Sequence, residues 1–326
     1  MNTNEPKTLI EAIRYFSDAD VCLDFMVELR WPDGVACPTC GSDNVGFIAT
    51  RRVWECKSKH TKRQFSVKVG TIFEDSPIGL DKWLASIWMI ANAKNGVSSY
   101  EMSRALGVTQ KTAWFMLHRI RLAMQSDFFG MDGEVEIDET FIGGAARFMH
   151  AARRERVKGK TRGPIGKTAV LGLLERHGPD GHSRIRTKVI PNTRRRVLYP
   201  EIRRHVAPSA EVITDAHPTY ILLRDEYAHR VIDHAERYVD GRVHTNGVEN
   251  FWSLLKRAVK GTYVSVEPFH LFRYLDERSF RYNTRKNMDG TRFAQSGNFH
   301  LRSAPDIETA YWRSLKARRG RQKGVN

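Results

Sequence analysis

Two sets of side chains in this sequence have the types and spacing to do chemistry. The first is a trio of carboxylates. Asp138 stands near the end of Glu134-Val135-Glu136-Ile137-Asp138-Glu139-Thr140-Phe141-Ile142, where Val135 and Ile137 alternate with acids before Gly143-Gly144 turns the chain. Asp215 closes a second strand-like run, Glu211-Val212-Ile213-Thr214-Asp215, and Glu249 lies in His244-Thr245-Asn246-Gly247-Val248-Glu249-Asn250-Phe251-Trp252. Three carboxylates suit two Mg2+ (or Mn2+) ions, because hard cations take oxygen ligands and leave room for water and phosphate. A pair of metals about 3.5–4 Å apart can activate an attacking oxygen and stabilise the leaving one. The plain alternative for the first run is an exposed edge strand with a solvated acidic side.

The second set is Cys37-Pro38-Thr39-Cys40-Gly41 with Cys56 and His60. Cys-x-x-Cys followed by glycine is a knuckle, a tight turn that lets two thiolates grip one ion. A hairpin, Arg52–Cys56 returning through Gln64–Val67, supplies Cys56, and His60 is the candidate fourth ligand. Zinc accepts imidazole as readily as thiolate, so a Cys3His ribbon is chemically sound, and with no position left open its Zn2+ would be structural. The alternative is a hairpin without metal, His60 being solvated among Lys57, Lys59, Lys62 and Arg63. Cys22, within Val21-Cys22-Leu23, reads as core.

Several elements must position these groups. Residues 8–30 suit two short helices split near Ser17-Asp18-Ala19-Asp20, with serine or aspartate capping the second. Residues 80–95 carry a helical stripe of Leu80, Trp83, Leu84, Ile87, Trp88 and Ile90. A short helix with Met102, Ala105 and Leu106 is broken by Gly107, and Thr109 caps a second helix running to about Met124, which is helix-turn-helix layout. Gln110, Lys111 and Thr112 at its start are the expected base-reading residues, with Arg104, Arg119 and Arg121 as phosphate contacts. An ordinary helical hairpin packed on a neighbour is the alternative.

Beyond it, three strand-like runs (134–142, 168–174 and 184–190) precede a helix at 194–206, the strand ending at Asp215, and the short strand 230–232. Hairpin strands followed by strands alternating with helices give an α/β, mixed-sheet domain of the ribonuclease H type. From His244 onwards, Val248, Trp252, Leu255 and Val259 form one helical stripe and Asn246, Glu249, Ser253 and Lys256 another. Asn246 is read as the helix N-cap and as a competitor of Glu249 for the third metal position. Lys256 follows Glu249 by two turns, about 10 Å along the axis, so it can contact a phosphate beyond the metals.

The chain of 326 residues has room for two or three cores, and 53 Lys plus Arg against 37 acids give a net charge of +16. That excess points to a polyanion, most often nucleic acid. No apolar run approaches a membrane span and the first residues lack signal-peptide layout, so a cytoplasmic, nucleoid-associated protein is expected, with no membrane partner. The segment 147–167 and a tail with Arg313, Lys316, Arg318, Arg319, Arg321 and Lys323 are strongly basic and either hold DNA or are solvated.

Cys37-Pro38-Thr39-Cys40, Gly70-Thr71-Ile72-Phe73-Glu74-Asp75-Ser76, Gly107–Trp114, Val135–Thr140, His244-Thr245-Asn246 with Glu249, and Phe280-Arg281-Tyr282-Asn283 occur in that order. Over roughly residues 8–285 the chain resembles bacterial insertion-sequence transposases of the DDE superfamily, the group with an N-terminal zinc ribbon. The resemblance implies catalytic acids at Asp138 and Asp215, a third ligand in the His244–Glu249 region, and a helical lysine at Lys256. It implies a metal-dependent enzyme that binds double-stranded DNA at the element's ends, cleaves it and transfers the strand into target DNA, assembled as a homo-oligomer on DNA. The alternative is a catalytically inactive, transposase-derived DNA-binding regulator. The expected organisation is 1–30 N-terminal helices, 31–78 zinc ribbon, 79–128 helix-turn-helix, 129–290 ribonuclease H-like catalytic domain and 291–326 basic tail.

Overall fold

The computed structural model describes residues 6–125, 130–144, 166–232 and 244–296, with 151 and 155 between them. The basic segment 147–167 and the C-terminal tail therefore lie largely or wholly outside the described residues. The chain forms two compact units, one from Met1–Ala93, Val97–Ala123 and Asn287–Asn326, the other from Lys94–Gly96 and Met124–Lys286.

In the first unit, α1 (Leu9–Tyr15) opens with a capping box: Thr8 accepts from the Glu11 N–H and the Glu11 carboxylate accepts from the Thr8 N–H. Helix α2 (Ala19–Arg30) starts at Asp18, whose Oδ1 accepts from the Asp20 N–H at 2.7 Å, so aspartate and not Ser17 makes the expected cap. The ribbon is a three-stranded antiparallel sheet, β1 (Val45–Ile48), β2 (Val53–Cys56) and β3 (Gln64–Phe65). Reading the hairpin alone misses β1, which pairs Val45 with Cys56 and so braces the third cysteine.

Helix α3 (Leu80–Asn92) buries Trp83, Leu84, Ile87, Trp88 and Ile90. Then α4 (Ser99–Leu106), capped by Ser98, meets left-handed Gly107 at φ 62°, and α5 (Gln110–Ala123) begins after Thr109, whose hydroxyl accepts from the Thr112 N–H.

The second unit is built on a five-stranded mixed sheet. Its strands are β4 (Glu134–Ile142), β5 (Thr168–Glu175), β6 (Arg184–Ile190), β7 (Glu211–Asp215) and β8 (Ala228–Ile232), in the order β6-β5-β4-β7-β8. β4, β5 and β6 pair antiparallel, while β7 and β8 run parallel to β4, a topology consistent with a ribonuclease H-like domain. Helix α6 (Arg195–His205) links β6 to β7; α7 (Asn246–Gly261) and α8 (Leu271–Asn283) follow β8. A further helix, α9 (Asp289–Ser296), straddles the expected boundary at 290 and joins the first unit, where Phe293 meets Phe16, Phe25 and Trp88.

β4 is central, not an edge. Val135 and Ile137 enter a core with Leu198 and Ile202 of α6, while the other face meets Val248, Phe251, Trp252 and Leu255 of α7. The solvated acidic side suggested by the alternation does not exist: Glu136 is 1% exposed. Among the described residues no helix is long and apolar enough to cross a membrane.

Candidate active site and metal centre

Asp138 lies on the α7 face of β4, beside Gly172 of β5. A Cβ at Gly172 would come within 2.5 Å of the Trp252 ring, so the missing side chain admits the indole. Trp252 Nε1–H then donates to Asp138 Oδ2 at 2.9 Å. β7 pairs in parallel register with β4, Glu136 opposite Ile213; two residues on, the same period brings Asp138 and Asp215 to one face. Asp215 stands at the end of β7 and Asp138 in the middle of β4, which runs on to Ile142 and does not end near Asp138 as expected. Asp215 Oδ1 accepts the His217 N–H at 3.1 Å, which orients it in the turn after β7.

Glu249 is exposed in the first turn of α7, with the Thr245 hydroxyl donating to its Oε1 at 2.8 Å. Burial pushes the Asp138 carboxyl up and the like charges of Asp215 and Glu249 push it further, against the Trp252 bond, to about 6. Asp215 and Glu249 therefore both act electrically on Asp138. Lys256 is exposed on the same helix.

The helix start differs from expectation. Asn246 is the first helical residue and Thr245 the cap position, so Asn246 is not the N-cap; it is exposed in the first turn. The N–H of Val248 is taken instead from outside the helix, by Glu136 Oε2 at 2.8 Å. Glu136, with Arg176 bound to its other oxygen, is a site residue that reading the sequence missed. Its signal was position: two before Asp138 on a strand, hence on the same face. Glu139, on the opposite face, is another; burial and the charges of Asp138 and Asp215 push its carboxyl to about 7.

Among the described residues, one group of His, Cys, Asp or Glu side chains has all its donor atoms within 4.8 Å of one another: Cys37, Cys40, Cys56 and His60. The knuckle is closed by Cys37 N–H to Ser42 O and Gly41 N–H to Cys37 O, each 2.8 Å, with Gly41 at φ 75°. Cys40 Sγ lies 3.7 Å from Cys56 Sγ and Cys37 Sγ 3.5 Å from His60 Nε2. Ligands at 2.0–2.3 Å in a tetrahedron stand about 3.3–3.8 Å apart, so these donors fit Zn2+. His60 Nδ1 faces Thr61 O at 2.6 Å, which leaves Nε2 to the cluster. Burial pushes the Cys56 thiol up, but hydrogen bonds with His60, Ser58 and Cys40 bring it to about 6. The carboxylate trio has no such closure, although as an all-oxygen set it suits a hard divalent cation.

The six expected DNA contacts are placed unequally, and Arg104 is exposed on α4. Lys111 is exposed at the start of α5. Gln110 Nε2 donates to Ser99 Oγ at 2.8 Å, and the Thr112 hydroxyl meets that of Thr109 at 2.8 Å. Arg119 donates to the carbonyls of Ile72 and Glu74, at 3.0 and 2.6 Å, and Arg121 is only 1% exposed. Arg119 thus ties α5 to the 72–74 segment, and Arg121 is buried within the first unit.

Comparison with known proteins adds the family. Residues 130–283 match the ISXO2-like transposase domain, and residues 17–61, which hold all four ribbon ligands, match the transposase zinc-ribbon domain. A protein in transposable element ISH50 of Halobacterium salinarum is 27% identical over 256 residues, covering 75% of this chain and 84% of that protein. A transposase-like protein of Haemophilus influenzae is 32% identical over 101 residues, covering 31% of this chain and 81% of that protein.

Proposed function

The chain belongs to the ISXO2-like transposases that carry a zinc ribbon, and on that premise we propose that it cleaves the ends of a mobile element and joins them to target DNA. Asp138, Asp215 and Glu249 hold two Mg2+ or Mn2+ ions in this reading. Bound there, the cations supply Lewis-acid activation of the attacking oxygen and neutralise charge on the leaving one. The chain's own residues do the rest. The Trp252 N–H, the His217 N–H and the Thr245 hydroxyl each fix one carboxylate oxygen, so the acids are oriented before DNA arrives. Lys256, about 10 Å beyond Glu249 along α7, contacts a phosphate on the same strand.

The bond changes balance without a covalent enzyme intermediate. Water attacks a phosphodiester at the element's end, leaving a 3′-hydroxyl on the element and a 5′-phosphate on the flanking DNA. That hydroxyl then attacks a target phosphodiester, one P–O bond forming as another breaks, and a target 3′-hydroxyl leaves. The first unit reads the ends: the ribbon is held by structural zinc, and α5 approaches the bases through Lys111, with Gln110 and Thr112 beside it. The assembly on DNA is a homo-oligomer, in which each element end meets one carboxylate trio.

The observation that carries this reading is the parallel register of β4 and β7, which levels Asp138 with Asp215, together with the charges of Asp215 and Glu249 acting on the Asp138 carboxyl. Purified chain, DNA carrying the element's ends and Mg2+ test it: nicked ends with a free 3′-hydroxyl are expected. End-specific binding without cleavage in Mg2+ or Mn2+ would make the chain a regulator instead.

A further inference from the structure

We infer that Glu136 is the positioning residue for Glu249: its buried carboxylate clamps the first turn of α7 to β4 and so sets where the third acid stands. This rests on the reading of Asp138, Asp215 and Glu249 as the cation-holding trio.

A carboxylate that is 1% exposed in a central strand is costly unless fully paired. Glu136 is paired on both oxygens. Oε1 accepts from Arg176 Nε at 2.6 Å, and Oε2 accepts from the Val248 N–H at 2.8 Å. That N–H is among the first four of α7, which have no partner within the helix and sit at the positive end of its dipole. Thr245, at the cap position, gives its hydroxyl to Glu249. Capping has passed from the helix's own sequence to the strand beneath it.

Arg176 widens the clamp. Its Nη1 donates to Glu134 Oε2 at 2.9 Å, and its Nη2 reaches both the His244 carbonyl and, at 2.8 Å, His244 Nδ1. One guanidinium thus ties β4 to the residue that leads into α7. Gly247 completes the fit: a Cβ there would lie 2.9 and 3.0 Å from the two Glu136 oxygens. His244 and Gly247 of the His-Thr-Asn-Gly-Val-Glu motif therefore answer to Glu136 and Arg176, as Glu249 answers to the trio.

The geometry has a direct consequence for the site. Glu136 and Asp138 are two apart on one face of one strand, so β4 carries the first acid itself and holds the third through the clamp. The spacing between Asp138 and Glu249 is then set by a rigid strand and not by the loop before α7.

The test uses the full chain with its ribbon loaded with zinc. Glu136→Gln keeps shape but turns an amide N–H toward a guanidinium or a helix N–H. Gly247→Ala keeps Glu136 and displaces it. Calorimetric titration with Mn2+, without DNA, is expected to show affinity about 10–100-fold weaker in both variants, the usual effect of a lost outer partner of a metal ligand. Single-turnover cleavage should fall with it and recover at raised Mn2+, while the Kd for end DNA stays unchanged. In Glu136→Gln combined with Glu249→Gln, Mn2+ affinity should be no weaker than in Glu249→Gln alone. Unchanged Mn2+ affinity beside a lowered Tm, or additive losses in the double variant, would reduce Glu136 to a structural ion pair. Should Glu136→Gln not fold, normal Mn2+ affinity in folded Gly247→Ala overturns the clamp by itself. Wild-type chain whose Mn2+ binding does not depend on Asp138 overturns the trio as well.

Discussion

In the ribbon, four donor atoms drawn from between Cys37 and His60 close to within 4.8 Å of one another. In the second unit the acids come from Asp138, Asp215 and Glu249, on two strands and a helix, and each is fixed by a neighbour that is not itself an acid. The ribbon is a short loop closed on itself, whose soft donors fill a tetrahedron and leave no position for substrate. In the trio, burial and the like charges of Asp215 and Glu249 favour the protonated form of Asp138, and each acid is aimed by a neighbour from outside. A closed site suits a structural ion, and an open one held by outer partners suits chemistry.

Removing an acid should break the comparison most sharply. Asp138→Asn or Glu249→Gln is expected to lower end cleavage by at least about 10³-fold, equivalent to about 4 kcal/mol, with end binding retained. Cleavage near the wild-type rate in either would remove that residue from the trio. Asn246→Ala, which alters an exposed first-turn residue and no cap, should stay within about 0.5 kcal/mol in stability and keep activity.

Cys56→Ala should do the reverse. Elemental analysis is expected to show loss of the one zinc per chain, with protease sensitivity in the ribbon and loss of end binding, because a structural zinc site folds with its metal. His60→Ala should lose zinc too; full zinc content in that variant would pass the fourth position to another group.

Gly172→Ala probes the support of Asp138. The added methyl meets the Trp252 ring, and overpacking of this kind costs about 1–3 kcal/mol. Thermal unfolding and cleavage should both decline; a wild-type rate would show that the indole does not need its present seat.

The smallest effect concerns acid sensitivity of the second unit. Burial, then the charge of Arg186, holds the His205 imidazole down at about 4, so folding favours its neutral form. The unfolded chain takes up the proton at its ordinary value of about 6.5. Stability from this group is therefore complete above about 6.5 and is lost as pH falls towards 4. His205→Gln should flatten the fall of Tm between those values; an unchanged slope would place the sensitivity elsewhere.

Local chemistry was legible. The knuckle and Cys56, the caps at Asp18 and Thr109, and the three hairpin strands that start the mixed sheet all follow from neighbours a few residues apart. Amphipathic stripes on α3 and α7 were equally plain, because a period of 3.6 needs no knowledge of what covers it. Burial of charge was not legible. Arg121 reads as a surface cation, Glu136 as a solvated acid and Asn246 as a cap, and each proves otherwise.

The sequence alone determined which side chains carry donors, which segments form the main helices and the strands of the mixed sheet, and that soft ligands lie together in a ribbon. Only tertiary structure decided that β4 is central, that parallel pairing with β7 levels Asp215 with Asp138, and that Glu136 caps a helix 112 residues further on. The reason is physical. A turn or a cap is an interaction between groups the chain already holds close, whereas the partner of a buried charge is chosen by strand register and helix packing, which depend on the whole core at once.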